Sequence, residues 1–267
     1  RIVNGSFMMK GKKVQLTQNE KGKTCLHSAG EFSNAVWDAE PVGNNAVELS
    51  YTSPDGASGF EGKMDAKVKY TLTEDNKVEI EYSAVSDKDT VINFTNHTYF
   101  NLSGSAMSNV LGHVLKLNAK KFTPTDEDSI PTGQLRSVFN TPFDFTNPTS
   151  IGKRIHDRDA QLVMCRGYDH NFCLDHVDGE ADAVVYEPVS GRQLKVYTDL
   201  PGVQLYTGNF LDGTVIGKGG LPLIQHAGFC LETQYYPDTP NHPDFPQCTF
   251  KAGEEYKSKT TFEINVF

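Results

Sequence analysis

The chain has 267 residues, 37% of them hydrophobic, with 16 Phe and 11 Tyr to supply bulk for a sizeable core. Its net charge of −9 and pI near 5.4 argue against a nucleic-acid or anionic-membrane surface. No apolar run approaches the roughly 18 residues a membrane helix needs, and the five scattered cysteines (Cys25, Cys165, Cys173, Cys230, Cys248) form no C-x-x-C pair. Reduced thiols and a cytoplasmic location are the expectation.

In chain order, "RIVNGSF" opens the sequence at Arg1, and "TCLHSAGEF" follows with His27 in a loop-like setting. "AKVKYTLTEDNKVEIEYSAV" alternates Val68, Tyr70 and Leu72, turns, then alternates Val78, Ile80 and Tyr82. This predicts a hairpin with one buried face. "NFTNHTYFNLSG" is rich in Phe, Thr and Tyr and is predicted as strand, with His97 in its middle. It also holds three N-x-[S/T] patterns, at Asn93, Asn96 and Asn101, and glycans on them would obstruct a functional His97. "SIGKRIHD" offers Ile151 and Ile155 for one or two helical turns. "RQLKVYTDLPGVQLYTG" resembles a second hairpin, with Leu194 and Val196 before a turn at Pro201–Gly202. "KTTFEINVF" closes the chain with Phe262, Ile264 and Val266 on one face. Neither a linker nor a repeat divides the chain, so a single all-β, sandwich-like domain is expected over residues 1–267.

Several polar residues stand beside strand patterns where apolar ones are the rule: Asp169 in "RGYDHNFCL", Gln204 in "PGVQLYTGNF" and Glu232 in "GFCLETQYYPD". Glu232 follows Phe229, Cys230 and Leu231, so partial desolvation should favour it as a base working near neutrality. Each has a structural alternative. Asp169 suits a turn or cap, Glu232 an outward strand position, and His27 and His97 ordinary packing. Two histidines and two carboxylates admit three chemistries: a metal site, glycoside hydrolysis by a carboxylate pair, and proton shuttling between His97 and Glu232. No H-x-H or H-E-x-x-H spacing supports the metal, and no G-x-S-x-G elbow supports a serine nucleophile.

Taken together and in order, "RIVNGSF", "CLHSAG", "VELSYTSPDGASGFEG", "NHTYFNLSG", "DEDSIPTGQL", "TPFDF", "GYDHNFCL", "PGVQLYTGNFLDG" and "GFCLETQYYPDTPNHPDFP" resemble segments of the aldose 1-epimerase (galactose mutarotase) family. The resemblance covers essentially the whole chain. It implies a large antiparallel β-supersandwich and an isomerase that interconverts α and β anomers of free aldoses of the glucose or galactose type, without cofactor or metal. It implies Glu232 as base at the C1 hydroxyl and His97 as acid at the ring oxygen. His27, Asp169, Gln204 and Arg1 are then implied as partners of sugar hydroxyls. Two departures stand out. The family carries an N-terminal portion, roughly seventy residues, before the segment that begins here at Arg1, so the fold is expected to lack N-terminal strands. "LHSAGEF" also replaces the family's L-H-G-G, with side chains where glycine would give backbone freedom. Two other functions stay open: a catalytically silent carbohydrate-binding module on the same fold, and an epimerase for phosphorylated sugars. The latter would draw on Arg154, Arg158 or Arg166 for the phosphate.

Overall fold

The computed structural model describes residues 1–105 and 107–267. Its regular structure is mostly antiparallel strand, interrupted by short 3-10 turns; the only α-helices among the described residues are Glu31–Asn34 and Ala160–Cys165. No described helix is long and apolar enough to cross a membrane. The chain forms two compact units, Arg1–Phe94 with Tyr235–Thr260, and Thr95–Gln234 with Thr261–Phe267.

In the first unit, strands Asp38–Val42, Ala46–Ser53, Met64–Leu72 and Lys77–Ser86 pair consecutively in an antiparallel meander. The predicted hairpin is its last pair. Val68 lies opposite Tyr82 and Tyr70 opposite Ile80, and the alternation buries Met64, Ala66 and Val68 with Ile80, Tyr82 and Ala84. Each large apolar side chain withdrawn from water this way contributes about 1.5–3 kcal/mol. Leu72 departs from the expected face: at the strand end it is 59% exposed. The turn is closed by Thr73, whose hydroxyl accepts from the Lys77 amide at 3.0 Å. A smaller hairpin, Ser6–Met9 with Lys12–Gln15, places Phe7 and Val14 in a cluster with Leu16, Cys25, Val91 and Cys248.

In the second unit, five antiparallel strands lie in the order Arg136–Ser137, Lys121–Phe122, Asp169–Cys173, Gly202–Tyr206 and Cys230–Gln234. Strands Thr149–Ser150, Val114–Leu117, Ala183–Tyr186 and Arg192–Thr198 pair in that order as a second set. Phe122 and Phe143 stack at 4.2 Å, and Phe145, Tyr168 and Phe172 complete a buried aromatic core. Asp159 caps the helix Ala160–Cys165, its carboxylate accepting from the Gln161 amide at 2.9 Å. Just past that helix Gly167 has φ of 139°, and an added Cβ would sit 2.4 Å from Asn209 Oδ1, so only glycine fits.

Several sequence expectations need correction. Asn93–Tyr99 is not strand; only Phe100 bridges, to Phe229, with N···O distances of 2.7 and 2.9 Å. Arg192–Thr198 and Gly202–Tyr206 do not form a hairpin, because the first pairs with Ala183–Tyr186 and the second with Asp169–Cys173 and Cys230–Gln234. The turn at Pro201–Gly202 hands the chain from one set of strands to another. Of the closing residues, Phe262 is buried, whereas Ile264 and Val266 are progressively exposed toward the chain end. Ile151 and Ile155 are both buried, but the helical piece is one 3-10 turn, Ile151–Lys153.

Candidate active site

Strand geometry builds one polar face in the second unit. Successive side chains alternate between the faces of a sheet, and residues directly opposite across a ladder share a face. The register therefore aligns Asp169, Tyr206 and Cys230 in one row, and Asn171, Gln204 and Glu232 in the next. Gln234 begins a third row beyond Glu232. The side chains then bond across the strands. Gln204 Nε2 donates to Asp169 Oδ1 at 2.8 Å. Gln234 Nε2 lies 3.2 Å from both Gln204 Oε1 and Asn171 Oδ1, donating to them. Asp169 and Glu232 are only 9% and 6% exposed, so two carboxylates are held on a nearly dry surface.

His97 meets this face from the irregular segment before Phe100. Its Nε2 is 3.6 Å from Glu232 Oε1 and its Nδ1 is 3.4 Å from Cys230 Sγ. No strand ladder holds the segment at His97, and local contacts surround the ring instead. The Asn96 carboxamide oxygen accepts from the Thr98 amide at 3.1 Å. Tyr99 stacks on the imidazole at 5.1 Å, and Tyr206 meets both rings edge-on at 6.0 Å. Burial raises the Tyr99 and Tyr206 hydroxyl pKa values, and the neighbouring carboxylates push the same way. The Cys230 thiol is likewise pushed up, by burial first and then by Glu232 and Asp169.

His97, Cys230 and Glu232 are ligand types for a soft metal, and one donor atom of each lies within 4.8 Å of the others. Their closest approaches nevertheless use opposite sides of the ring: sulfur faces Nδ1 and the carboxylate faces Nε2. That suits two polar contacts to one imidazole better than three donors converging on one ion.

Behind the strand, His170 is fully buried with its pKa lowered to about 3 by desolvation. Its Nδ1 accepts from the Asp169 amide at 3.1 Å, and its Nε2 lies 3.2 Å from Gln161 Oε1. The backbone of Asp169 is thus anchored by a neutral imidazole on the core side.

Four of the six expected site residues, His97, Asp169, Gln204 and Glu232, meet in this cluster. Asp169 is a strand residue rather than a turn or cap. The other two belong to the first unit. His27 opens the turn His27–Gly30 and is exposed. Arg1 forms a two-point ion pair with Glu20, Nε to Oε2 at 2.9 Å and Nη2 to Oε1 at 3.1 Å. Among the arginines considered for a phosphate, Arg154 bonds the Asp144 carbonyl and lies over Phe145, and Arg166 lies over Phe210. Sequence reasoning missed Cys230, Gln234, Asn171, Tyr99 and Tyr206. A period-two rule would have found the first three, since they lie two residues from Glu232 or Asp169 on the same strand.

The family model for aldose 1-epimerase matches residues 1–263. The chain is 42% identical to galactose mutarotase of Bos taurus over 268 residues, covering all of this chain and 76% of that protein. It is 39% identical to aldose 1-epimerase of Escherichia coli K12, covering 99% of this chain and 77% of that one. Among solved structures, an aldose epimerase homologue from C. elegans superimposes with a TM-score of 0.90 at 26% identity, over all of this chain and 79% of the other. Galactose 1-epimerase from Lactobacillus acidophilus does so at 0.88 and 27%, over 99% and 76%. With the family match running almost end to end over a chain of this architecture, the protein belongs to the aldose 1-epimerase family.

Proposed function

We propose that the protein interconverts the α and β anomers of free aldoses of the glucose or galactose type. One observation carries the mechanism: the buried Glu232 carboxylate and Nε2 of the exposed His97 stand 3.6 Å apart. The anomeric hydroxyl and the ring oxygen are bonded to the same carbon. An acid and a base serving both must therefore be close neighbours, each within about 2.6–3.2 Å of its own oxygen. Glu232 takes the C1 hydroxyl proton while His97 protonates the ring oxygen. The bond from C1 to the ring oxygen breaks, giving the open-chain aldehyde. Rotation about C1–C2 turns the other carbonyl face inward. The ring hydroxyl returns its proton to His97 and closes on C1, and Glu232 protonates the new anomeric oxygen. No net proton is consumed. Asp169 and Gln204 hold sugar hydroxyls, with Asp169 offering a charged acceptor. His27 and Arg1 join them as hydroxyl partners on the strength of the family resemblance.

Because Glu232 must be ionised and His97 protonated in one molecule, the rate is expected to be bell-shaped in pH. No metal or organic cofactor takes part, and dialysis against EDTA is expected to leave the rate unchanged. The burial of all five cysteines supports a reducing, cytoplasmic setting. The unbroken family match supports treating residues 1–267 as one aldose 1-epimerase-like domain.

Polarimetry on freshly dissolved α-glucose and α-galactose tests the proposal. A rate no faster than buffer would leave a silent carbohydrate-binding module as the better reading. A preference for glucose 6-phosphate over glucose would point to a phosphorylated substrate.

A further inference from the structure

Cys230 is fully buried and touches His97, yet the chemistry above gives it no part. A cysteine beside a histidine commonly means an activated thiolate nucleophile, whose pKa is depressed by an electropositive setting. Here the setting is the reverse. Burial and the carboxylates of Glu232 and Asp169 push the thiol up, so sulfur stays protonated and neutral. That setting disfavours a thiolate nucleophile and leaves the hydrogen-bonding character of a neutral sulfur.

That character matters because of where the sulfur sits. Glu232 approaches Nε2 and Cys230 approaches Nδ1, so the two ring nitrogens have different partners. Both partners come from one strand, two residues apart, and the ladder to Gly202–Tyr206 fixes their spacing. Among the described residues, the ionisable rings of Tyr99 and Tyr206 also face the imidazole, and Asp169 lies opposite Tyr206 on the same sheet face. Resting on the acid–base reading above, we propose that Cys230 is a positioning residue for His97. Its sulfur takes the Nδ1–H as a weak acceptor, which makes Nε2 the nitrogen that exchanges a proton with the sugar. A carboxylate at this place would form a charge-assisted bond and hold the imidazolium. Sulfur accepts weakly, so the ring is oriented without being made a poor acid.

The sign of the effect separates this role from packing. In Cys230→Ser the oxygen is a stronger acceptor, the imidazolium is stabilised, and His97 keeps its proton to higher pH. In Cys230→Ala the acceptor is lost, and the proton leaves at lower pH. NMR titration of the His97 ring and the basic limb of the pH–rate profile should both move up for Ser and down for Ala, each by on the order of one pH unit or less. Loss of packing alone would not reverse sign between the two variants. Shifts in the same direction, or none, would overturn the proposal. Wild-type protein supplies a further test independent of variant folding: above the titration midpoint, ring ¹⁵N shifts should show the proton on Nδ1, and a proton on Nε2 overturns it. If wild type fails to accelerate mutarotation, the acid–base reading falls, while the NMR measurements still decide the role of Cys230.

Discussion

The three strands that carry Asp169, Gln204 and Glu232 and the turn that carries His27 both hold polar side chains, by opposite means. On the strands, the ladder fixes every backbone group, and side-chain direction follows from the pleat. The side chains then support one another through Gln204 and Gln234. In the turn His27–Gly30 the backbone itself is the unusual element. His27, Ser28 and Ala29 have φ of 49°, 49° and 52°, before Gly30 at 84°. The left-handed region costs a side-chain-bearing residue about 1–2 kcal/mol. Local bonds hold it: the Ala29 amide donates to the Leu26 carbonyl at 2.9 Å, and Leu26 and Asn19 exchange two bonds at 2.8 and 2.9 Å. The strands should therefore be sensitive to side-chain chemistry, and the turn to backbone freedom.

The largest effect expected on the strands is at the base. Glu232→Gln keeps the shape and removes the proton acceptor, so kcat should fall by about 10²–10⁴-fold. Retention of more than about a tenth of wild-type kcat would put the base elsewhere. His97→Asn should cost a similar factor, and the double variant far less than the product of the two, because the pair acts as a unit.

Next comes the core side of the same strand. His170 has a folded-state pKa near 3 against about 6.5 when unfolded. A depressed histidine pKa means the unfolded chain binds the extra proton first. The contribution is therefore complete above pH 6.5 and erodes as pH falls toward 3. At pH 4 the loss should be roughly 3 kcal/mol. Urea unfolding at pH 7 and pH 4 measures it, and His170→Gln should shrink the difference between the two. An unchanged difference would show that His170 is not the buried group that must charge.

At Asp169 the expectation is smaller. A sugar hydroxyl bonded to a carboxylate contributes about 1.5–3 kcal/mol. Asp169→Asn should therefore weaken apparent sugar binding by about one to two orders of magnitude. Titration of sugar by calorimetry reads this directly. Wild-type affinity with wild-type turnover would reduce Asp169 to an anchor for the Gln204 amide.

The turn supplies the smallest effect, and with the opposite sign. Ala29→Gly relieves a left-handed alanine at the cost of some unfolded-state entropy, for a net gain of about 0.5–1 kcal/mol. A higher melting temperature is expected, and an unchanged or lower one would mean that the turn is not held against a backbone preference.

Much of this was legible without coordinates. The alternation through Val68, Ile80 and Tyr82 fixes which faces are buried, because a period of two is a property of any extended chain. The ordered motifs from "RIVNGSF" to "LETQ" identify the family, and polar residues embedded in apolar strands single out Asp169, Gln204 and Glu232. Tertiary structure alone decided which strands pair. Arg192–Thr198 and Gly202–Tyr206 are neighbours in sequence but not in the ladder, and only the register across Asp169–Cys173, Gly202–Tyr206 and Cys230–Gln234 brings the carboxylates and amides into adjacent rows. Only the fold, too, shows that His97 lies outside any strand and rests between a sulfur and a carboxylate. Local pattern records the shape a segment prefers. Pairing and register depend on contacts summed over residues far apart in the chain, which no short stretch of sequence contains.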